Sequence, residues 1–258
     1  PDGDRFTFCA VSDTQTSKPA VPKEVTIREV GEMKLLDPDF VISSGDMIRG
    51  YSGNEDLVRK MWAAHLELTN ALPMPFVPGP GNHDIWGWNS REIYKELIGP
   101  TAFSFDYGNA HFITLDTEEP QHMTTLSPAQ ISWLEEDLKK LEARGGAEHI
   151  FMFMHKPMWV PRYESNFREK ILPLVEEYPL RAIFAGHEHL YRVDSIEGVD
   201  CKFFVIGGGG GSLLVGPKLG GFHHFLHVSI KGEQVSYAVI KPGNIEPISV
   251  MPGMQLEQ

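Results

Sequence analysis

Short apolar runs of strand length alternate with helical patterns along this chain, and that alternation confines it to the α/β class. Strands are expected at 6–11, 40–43, 76–77, 103–107, 111–115, 150–154 and 182–184. Three more, at 203–206, 225–230 and 235–240, follow one another without helices, so part of the sheet should be antiparallel or mixed. The sharpest helix signal begins at Ser127, with Pro128 at the first helical position and Gln130 as capping-box partner. Ile131, Leu134, Leu138 and Leu141 follow at helical spacing, and Gly145-Gly146 end the pattern. Asn54 caps a second expected helix with Leu57, Met61, Trp62 and Leu66 inside. Two more are expected at 25–36 and 167–175, the latter stressed by Pro173.

The strands do not simply end. Five of them run into a residue able to hold a metal ion: "AVSD" at Asp13, "VISSGD" at Asp46, "FVPGPGNHD" at Asn82, His83 and Asp84, "FMFMH" at His155, and "AIFAGHEH" at His187 and His189. In an open α/β sheet the carboxyl ends of parallel strands line one rim, where ligands bind. If these strands are parallel, two Asp, one Asn and three His converge. Carboxylate oxygen with imidazole nitrogen suits Mn, Fe, Zn, Co or Ni, and no thiolate is offered. That is more than one catalytic ion with an open position takes. Two ions roughly 3.5–4 Å apart, sharing a carboxylate, use the set better. Gly45, Gly81 and Gly186 directly precede Asp46, Asn82 and His187, as close backbone approach requires.

Composition narrows the partners. The formal net charge is −12 over 258 residues, which argues against nucleic acid and anionic membranes. It also means that an anionic substrate needs local positive charge, which bound metal supplies. No apolar run approaches spanning length. With no repeat, linker or composition break, residues 1–258 read as a single domain. Cys9 and Cys201 are the only cysteines, and Cys9, inside a core strand, is expected as a buried free thiol. The compartment is open; the start at Pro1 rather than Met favours export to the periplasm or beyond as the expectation.

These motifs, in this order, resemble the calcineurin-like metallophosphoesterases. The family pattern of Asp-x-His, Gly-Asp, Gly-Asn-His-Asp/Glu, a lone His and Gly-His-x-His stands here as "DTQ", "GDMIRG", "GNHD", "MHKP" and "GHEH". The resemblance implies an αββα sandwich, two mixed sheets flanked by helices. It implies a binuclear centre that hydrolyses phosphate mono- or diesters with a metal-bridging hydroxide. Carried over by position, Asp46 would bridge both ions, Asp13 and His189 would complete one site, and Asn82, His155 and His187 the other. His83 would assist the leaving group from outside the metal shell, oriented by Asp84. Two transition-metal ions, Mn, Fe or Zn, and a small-molecule phosphate ester are the implied cofactor and partner.

Gln15 departs from the pattern, standing where the family most often has a ligating His. It can ligate through its amide oxygen, hold a water, or leave a position vacant. A catalytically weak or inactive metal-binding protein of the same fold is therefore the alternative. A hydrolase of amides is disfavoured by the ligand order. The purple acid phosphatase branch carries a Tyr three residues after the second-motif Asp. That place is Arg49 here, so likeness to that branch is expected to fail. Arg49 is itself a candidate phosphate contact. Trp86, Trp88 and Trp159 are candidates for a leaving-group wall or for loop anchors. "GGGGG" at 207–211 reads as a flexible strand-to-loop turn bordering the site, since the G-x-x-x-x-G-K-[ST] arrangement is lacking and no helix pattern follows. Specificity is expected from the loops after Gly45, His83, Asp116 and Pro157.

Overall fold

The computed structural model describes residues 3–15, 21–119, 125–163, 165–250 and 252–256. Part of the loop after Asp116, at 120–124, lies outside them. In chain order the strands are β1 (Arg5–Val11), β2 (Phe40–Ser43), β3 (Phe76–Pro78), β4 (Phe103–Tyr107), β5 (Ala110–Leu115), β6 (His149–Met154) and β7 (Leu180–Ala185). They continue with β8 (Tyr191–Ile196), β9 (Lys202–Ile206), β10 (Phe225–Lys231), β11 (Gln234–Lys241), β12 (Asn244–Glu246) and β13 (Pro252–Leu256). The helices are α1 (Glu24–Leu36), α2 (Glu55–Thr69), α3 (Trp88–Leu97), α4 (Pro128–Ala143) and a single turn, α5 (Leu172–Val175).

Two mixed sheets result. One has the order β12-β11-β10-β1-β2-β3, the other β13-β8-β9-β7-β6-β5-β4. Strands β1, β2 and β3 are mutually parallel, as are β5, β6, β7 and β9, so ligand-bearing ends lie together on the rim of each sheet. Of the three late strands expected without helices between them, β10 and β11 pair antiparallel and β10 runs antiparallel to β1, while β9 joins the other sheet, parallel to β7 and antiparallel to β8, so the mixed arrangement holds.

Period-two alternation sorts the side chains into layers. From β1, Phe6, Phe8 and Ala10 enter the space between the sheets, while Cys9 and Val11 face Val30 and Met33 of α1. From β6, Phe151 and Phe153 point into the same middle layer, and Ile150, Met152 and Met154 face Leu134, Leu138 and Leu141 of α4. Helix, sheet, sheet, helix is therefore the layering, the expected αββα sandwich. Phe8 sits in the middle layer with the rings of Phe40, Phe112, Phe151, Phe153 and Phe184 at 5.3–6.3 Å. Truncating such a residue to Ala costs about 3–5 kcal/mol. Both cysteines are free and buried.

The expected helix at 167–175 is a π-helical turn, Phe167–Ile171, that tightens into α5. Pro173 falls in the first turn of α5, where its missing N–H is harmless. Among the described residues no helix is long and apolar enough to cross a membrane.

Candidate metal centre

The ligand-bearing strand ends turn sharply, and the ligands themselves absorb the turn. Asp13, Asp46 and His187 have φ of 59°, 55° and 66°, in the left-handed region that side chains rarely occupy. Such conformations persist where surrounding bonds over-determine them. Here the Asp13 N–H donates to Gly45 O at 2.9 Å, the Gln15 N–H to Asp46 O at 3.0 Å, and the Gly186 N–H to His155 O at 2.9 Å. Two of the three glycines serve proximity rather than a positive φ. A Cβ on Gly81 would lie 2.2 Å from Asp46 Oδ1, and one on Gly186 would lie 2.2 Å from Asp13 Oδ2.

Two triads of ligand atoms form, each within 4.8 Å: Asp46, His155 and His187, and Asp13, Asp46 and His189. Asp46 belongs to both. Asn82 joins the first, its Oδ1 lying 3.0 Å from His155 Nε2 and 2.8 Å from His187 Nδ1. Every candidate ligand except Gln15 thus falls in one of these groups.

Backbone carbonyls set which nitrogen faces inward. Nδ1 of His155 bonds Ser44 O at 3.0 Å, and Nδ1 of His189 bonds Ser212 O at 2.7 Å. A neutral imidazole that donates through Nδ1 has a bare lone pair at Nε2. Yet Nε2 of His155 lies 3.1 Å from Asp46 Oδ2, and Nε2 of His189 lies 3.1 Å from Asp13 Oδ1. Acceptor faces acceptor in both pairs, and only a proton or a metal cation reconciles them. The donor set therefore fits two cations.

Without them, protons take their place. Burial alone would lower the pKa of His155, but the carboxylates of Asp46, Asp13 and Glu118 carry it up to about 10. Burial and the charge of His155 push His187 down to about 4. Burial opposes ionisation of Asp13, yet His189 and His155 hold its carboxyl at about 2. His189 moves upward, Asp13 outweighing burial.

Gln15 is buried beside the second triad. Its amide is satisfied at both ends when the nitrogen donates to the carbonyls of Asp13 and Asp46, each at 3.0 Å. The oxygen then lies 3.3 Å from His189 Nε2, the side on which an ion would sit.

The expected Asp84–His83 pair does not form. The Asp84 carboxylate accepts backbone N–H groups instead: Asp46 at 2.8 Å and Gly81 at 2.9 Å on Oδ2, Met47 at 2.9 Å and Ile48 at 3.1 Å on Oδ1. Burial and the nearby Asp46 carboxylate raise its pKa to about 8 against these donors, which favour the anion. His83 is held by other groups. Its Nδ1 lies 2.5 Å from the Arg49 backbone carbonyl, and its own N–H donates to Asp46 Oδ1 at 2.8 Å. The reason is local geometry: Asp84 N–H turns back onto Gly81 O, so adjacent side chains leave in different directions.

The Arg49 side chain is exposed and borders a small depression with Thr14, Thr26 and Met61. Trp159 is buried in the outer core with Nε1 on Asp194, whereas Trp86 and Trp88 are exposed. The glycine run is not a flexible turn. Gly207 to Gly211 are buried, Gly209 and Gly211 donate to Ser12 O and Asp13 O, and a Cβ on Gly209 would lie 2.4 Å from Ser12 O. It is a packed strap under β1 that also brings Ser212 to His189.

Three supports stand behind these ligands. Glu188, between the last two of them, reads from the sequence as solvent-facing or as a support behind the ligands, whereas Lys156 and Tyr51 were overlooked. Glu188 is buried between the last two histidines and accepts from Tyr163, Arg162 and Arg192. Lys156, next to His155, pairs with buried Glu118 at 2.8 Å. Tyr51 reaches Asn82 and His83. Only the polarity of Glu188 and Lys156 beside motif histidines offered a signal.

Purple acid phosphatase 23 of Arabidopsis thaliana is 30% identical over 151 residues, covering 51% of this chain and 31% of that protein. The chain thus spans less than a third of that relative's length. A dimetal phosphatase from Danio rerio superposes with a TM-score of 0.71 at 13% identity, over 94% of this chain and 98% of that one. A purple acid phosphatase from yellow lupin (Lupinus luteus) seeds superposes with a TM-score of 0.70 at 16% identity, over 95% and 53%. The expected failure of likeness to the purple acid branch is therefore corrected: the similarity is present, although Arg49 stands at the tyrosine position. A family model described as calcineurin-like phosphoesterase matches residues 6–191. That span runs from β1 to the first residue of β8 and takes in every strand end with a candidate ligand, and the chain belongs to the calcineurin-like phosphoesterase family.

Proposed function

We propose that this chain hydrolyses small-molecule phosphate monoesters or diesters at a two-cation centre. Asp46 is shared, Asp13, His189 and the Gln15 amide oxygen serve one cation, and Asn82, His155 and His187 serve the other. Bound Mn, Fe or Zn would supply Lewis acidity toward phosphoryl oxygens and activate water. The chain's own residues do the rest. Asp46 holds both halves together, and the carbonyls of Ser44 and Ser212 keep two imidazoles in the ligating tautomer. His83, at the exposed edge and 3.8 Å from Asp46 Oδ2, hands a proton to the leaving oxygen. Asp84 acts on this reading by shaping the Asp46 loop. Arg49, exposed on that loop, contacts the phosphate.

The sharing of Asp46 by two triads is the observation that supports this reading most directly. The test is metal analysis of the purified chain together with turnover of p-nitrophenyl phosphate and bis-p-nitrophenyl phosphate in added Mn²⁺. Two ions per chain and hydrolysis of at least one ester are expected. A chain that takes up ions but turns over neither ester would instead be a metal-binding protein of this fold. A chain that takes up none after reconstitution overturns the site itself.

A further inference from the structure

Tyr51 stands five residues after Asp46 and is 47% exposed. Its φ is 49°, left-handed, which for a bulky residue stores strain of about 1–3 kcal/mol. Core burial does not account for a strained, half-exposed aromatic ring. Its contacts do. The hydroxyl accepts a hydrogen bond from Asn82 Nδ2 at 2.5 Å. The ring lies 4.2 Å from the His83 ring and 5.6 Å from Trp86, which meets it edge-on. The preceding Gly50 lets the loop press down: a Cβ there would lie 1.6 Å from His83 O.

Asn82 offers an oxygen and a nitrogen of nearly the same shape, and only one of them can ligate a cation. With Nδ2 engaged by Tyr51, Oδ1 is turned to His155 Nε2 and His187 Nδ1. The ring of the same tyrosine packs against that of His83 at a tilt of 54°, and His83 Nδ1 is held by Arg49 O. We infer that Tyr51 is a positioning residue with two functions: its hydroxyl aims the Asn82 oxygen into the Asp46–His155–His187 triad, and its ring seats the His83 imidazole. The inference rests on the two-cation reading above.

Two variants separate the functions. Tyr51→Phe keeps the ring and removes the hydroxyl. Titrating metal-free protein with Mn²⁺ in a calorimeter should show one of two ions bound about 10-fold more weakly, the low end for an outer partner of a ligand because water can reach the site. Activity lost in this variant should return as Mn²⁺ is raised. Tyr51→Leu removes both groups. It should lower kcat at saturating Mn²⁺ several-fold more than Tyr51→Phe, with KM and the thermal midpoint close to wild type. Wild-type ion affinities in Tyr51→Phe overturn the hydroxyl function. A Tyr51→Leu chain with the kcat of Tyr51→Phe overturns the ring function. A wild-type chain that binds no ion overturns the two-cation reading instead, so the two failures are distinguishable.

Discussion

Asp84 lies directly behind Asp46 and holds it by the backbone, taking the N–H groups of Asp46, Met47 and Ile48 on one buried carboxylate. Gly81 N–H completes the set. Asp84→Ala leaves these donors without an acceptor, at about 1–3 kcal/mol each before relaxation. We expect a lower thermal midpoint and loss of both ions together, because the loop carries the shared ligand. Metal analysis checks this. Intact metal content with only kcat reduced would show that Asp84 acts on His83 after all.

His83→Ala should do the opposite. Its side chain belongs to neither triad, so both ions should stay while kcat falls about 10²–10⁴-fold, the range for a lost general acid. The fall should be smaller for p-nitrophenyl phosphate, whose leaving group needs little protonation, than for an alkyl phosphate. Equal losses on both esters argue against proton transfer.

Gln15→His places an imidazole beside Asp13 and His189 and should tighten one ion. Gln15→Ala should weaken that ion and leave the Asp46–His155–His187 site filled. Competition with a chelator reads both. Unchanged retention in both variants would make Gln15 a loop residue, held only by the carbonyls of Asp13 and Asp46.

Metal uptake should release protons. At pH 7 His155 is protonated in the metal-free chain, its pKa raised to about 10, while His187, lowered to about 4, is already neutral. Ligation requires neutral imidazole, so at least one proton leaves per chain, and affinity rises with pH toward 10. The sign for stability follows from the same shift. The His155–Asp46 pair stabilises the metal-free fold fully below the unfolded histidine pKa near 6.5 and is lost as pH rises through about 10. Calorimetry in buffers of different ionisation enthalpy counts the protons; a count of zero contradicts the raised pKa.

Much of this was legible in the sequence because its signals are local. Apolar runs of strand length announced β1 and β6, and Ser127-Pro128 announced α4. Ligand identities were equally local, each following an apolar run. Partnerships were not. Asp84 next to His83 suggested a pair, but neighbours on a tight turn diverge, and only the fold brings Asp84 to residues 46–48. The glycine run looked loose because a missing side chain reads as freedom; in place it reads as lack of room. Helix α3 was missed because Gly87 gives its start no side-chain cap, and Tyr51 because the glycines beside it mark a turn without marking which side chain takes the left-handed φ.

The middle layer of phenylalanines has a thermodynamic consequence for the ions. Asp13, Asp46 and Asn82 come from one sheet and the three histidines from the other, so each triad is split across the seam that Phe8 and its neighbours close. A cation bound there acts as a cross-link between two halves of the molecule and has no counterpart once they part. Each ion at 100 times its dissociation constant would then add about 2.7 kcal/mol to the stability of the whole fold. Conversely, a cavity opened deep in the phenylalanine layer weakens metal retention from a distance, through the seam alone.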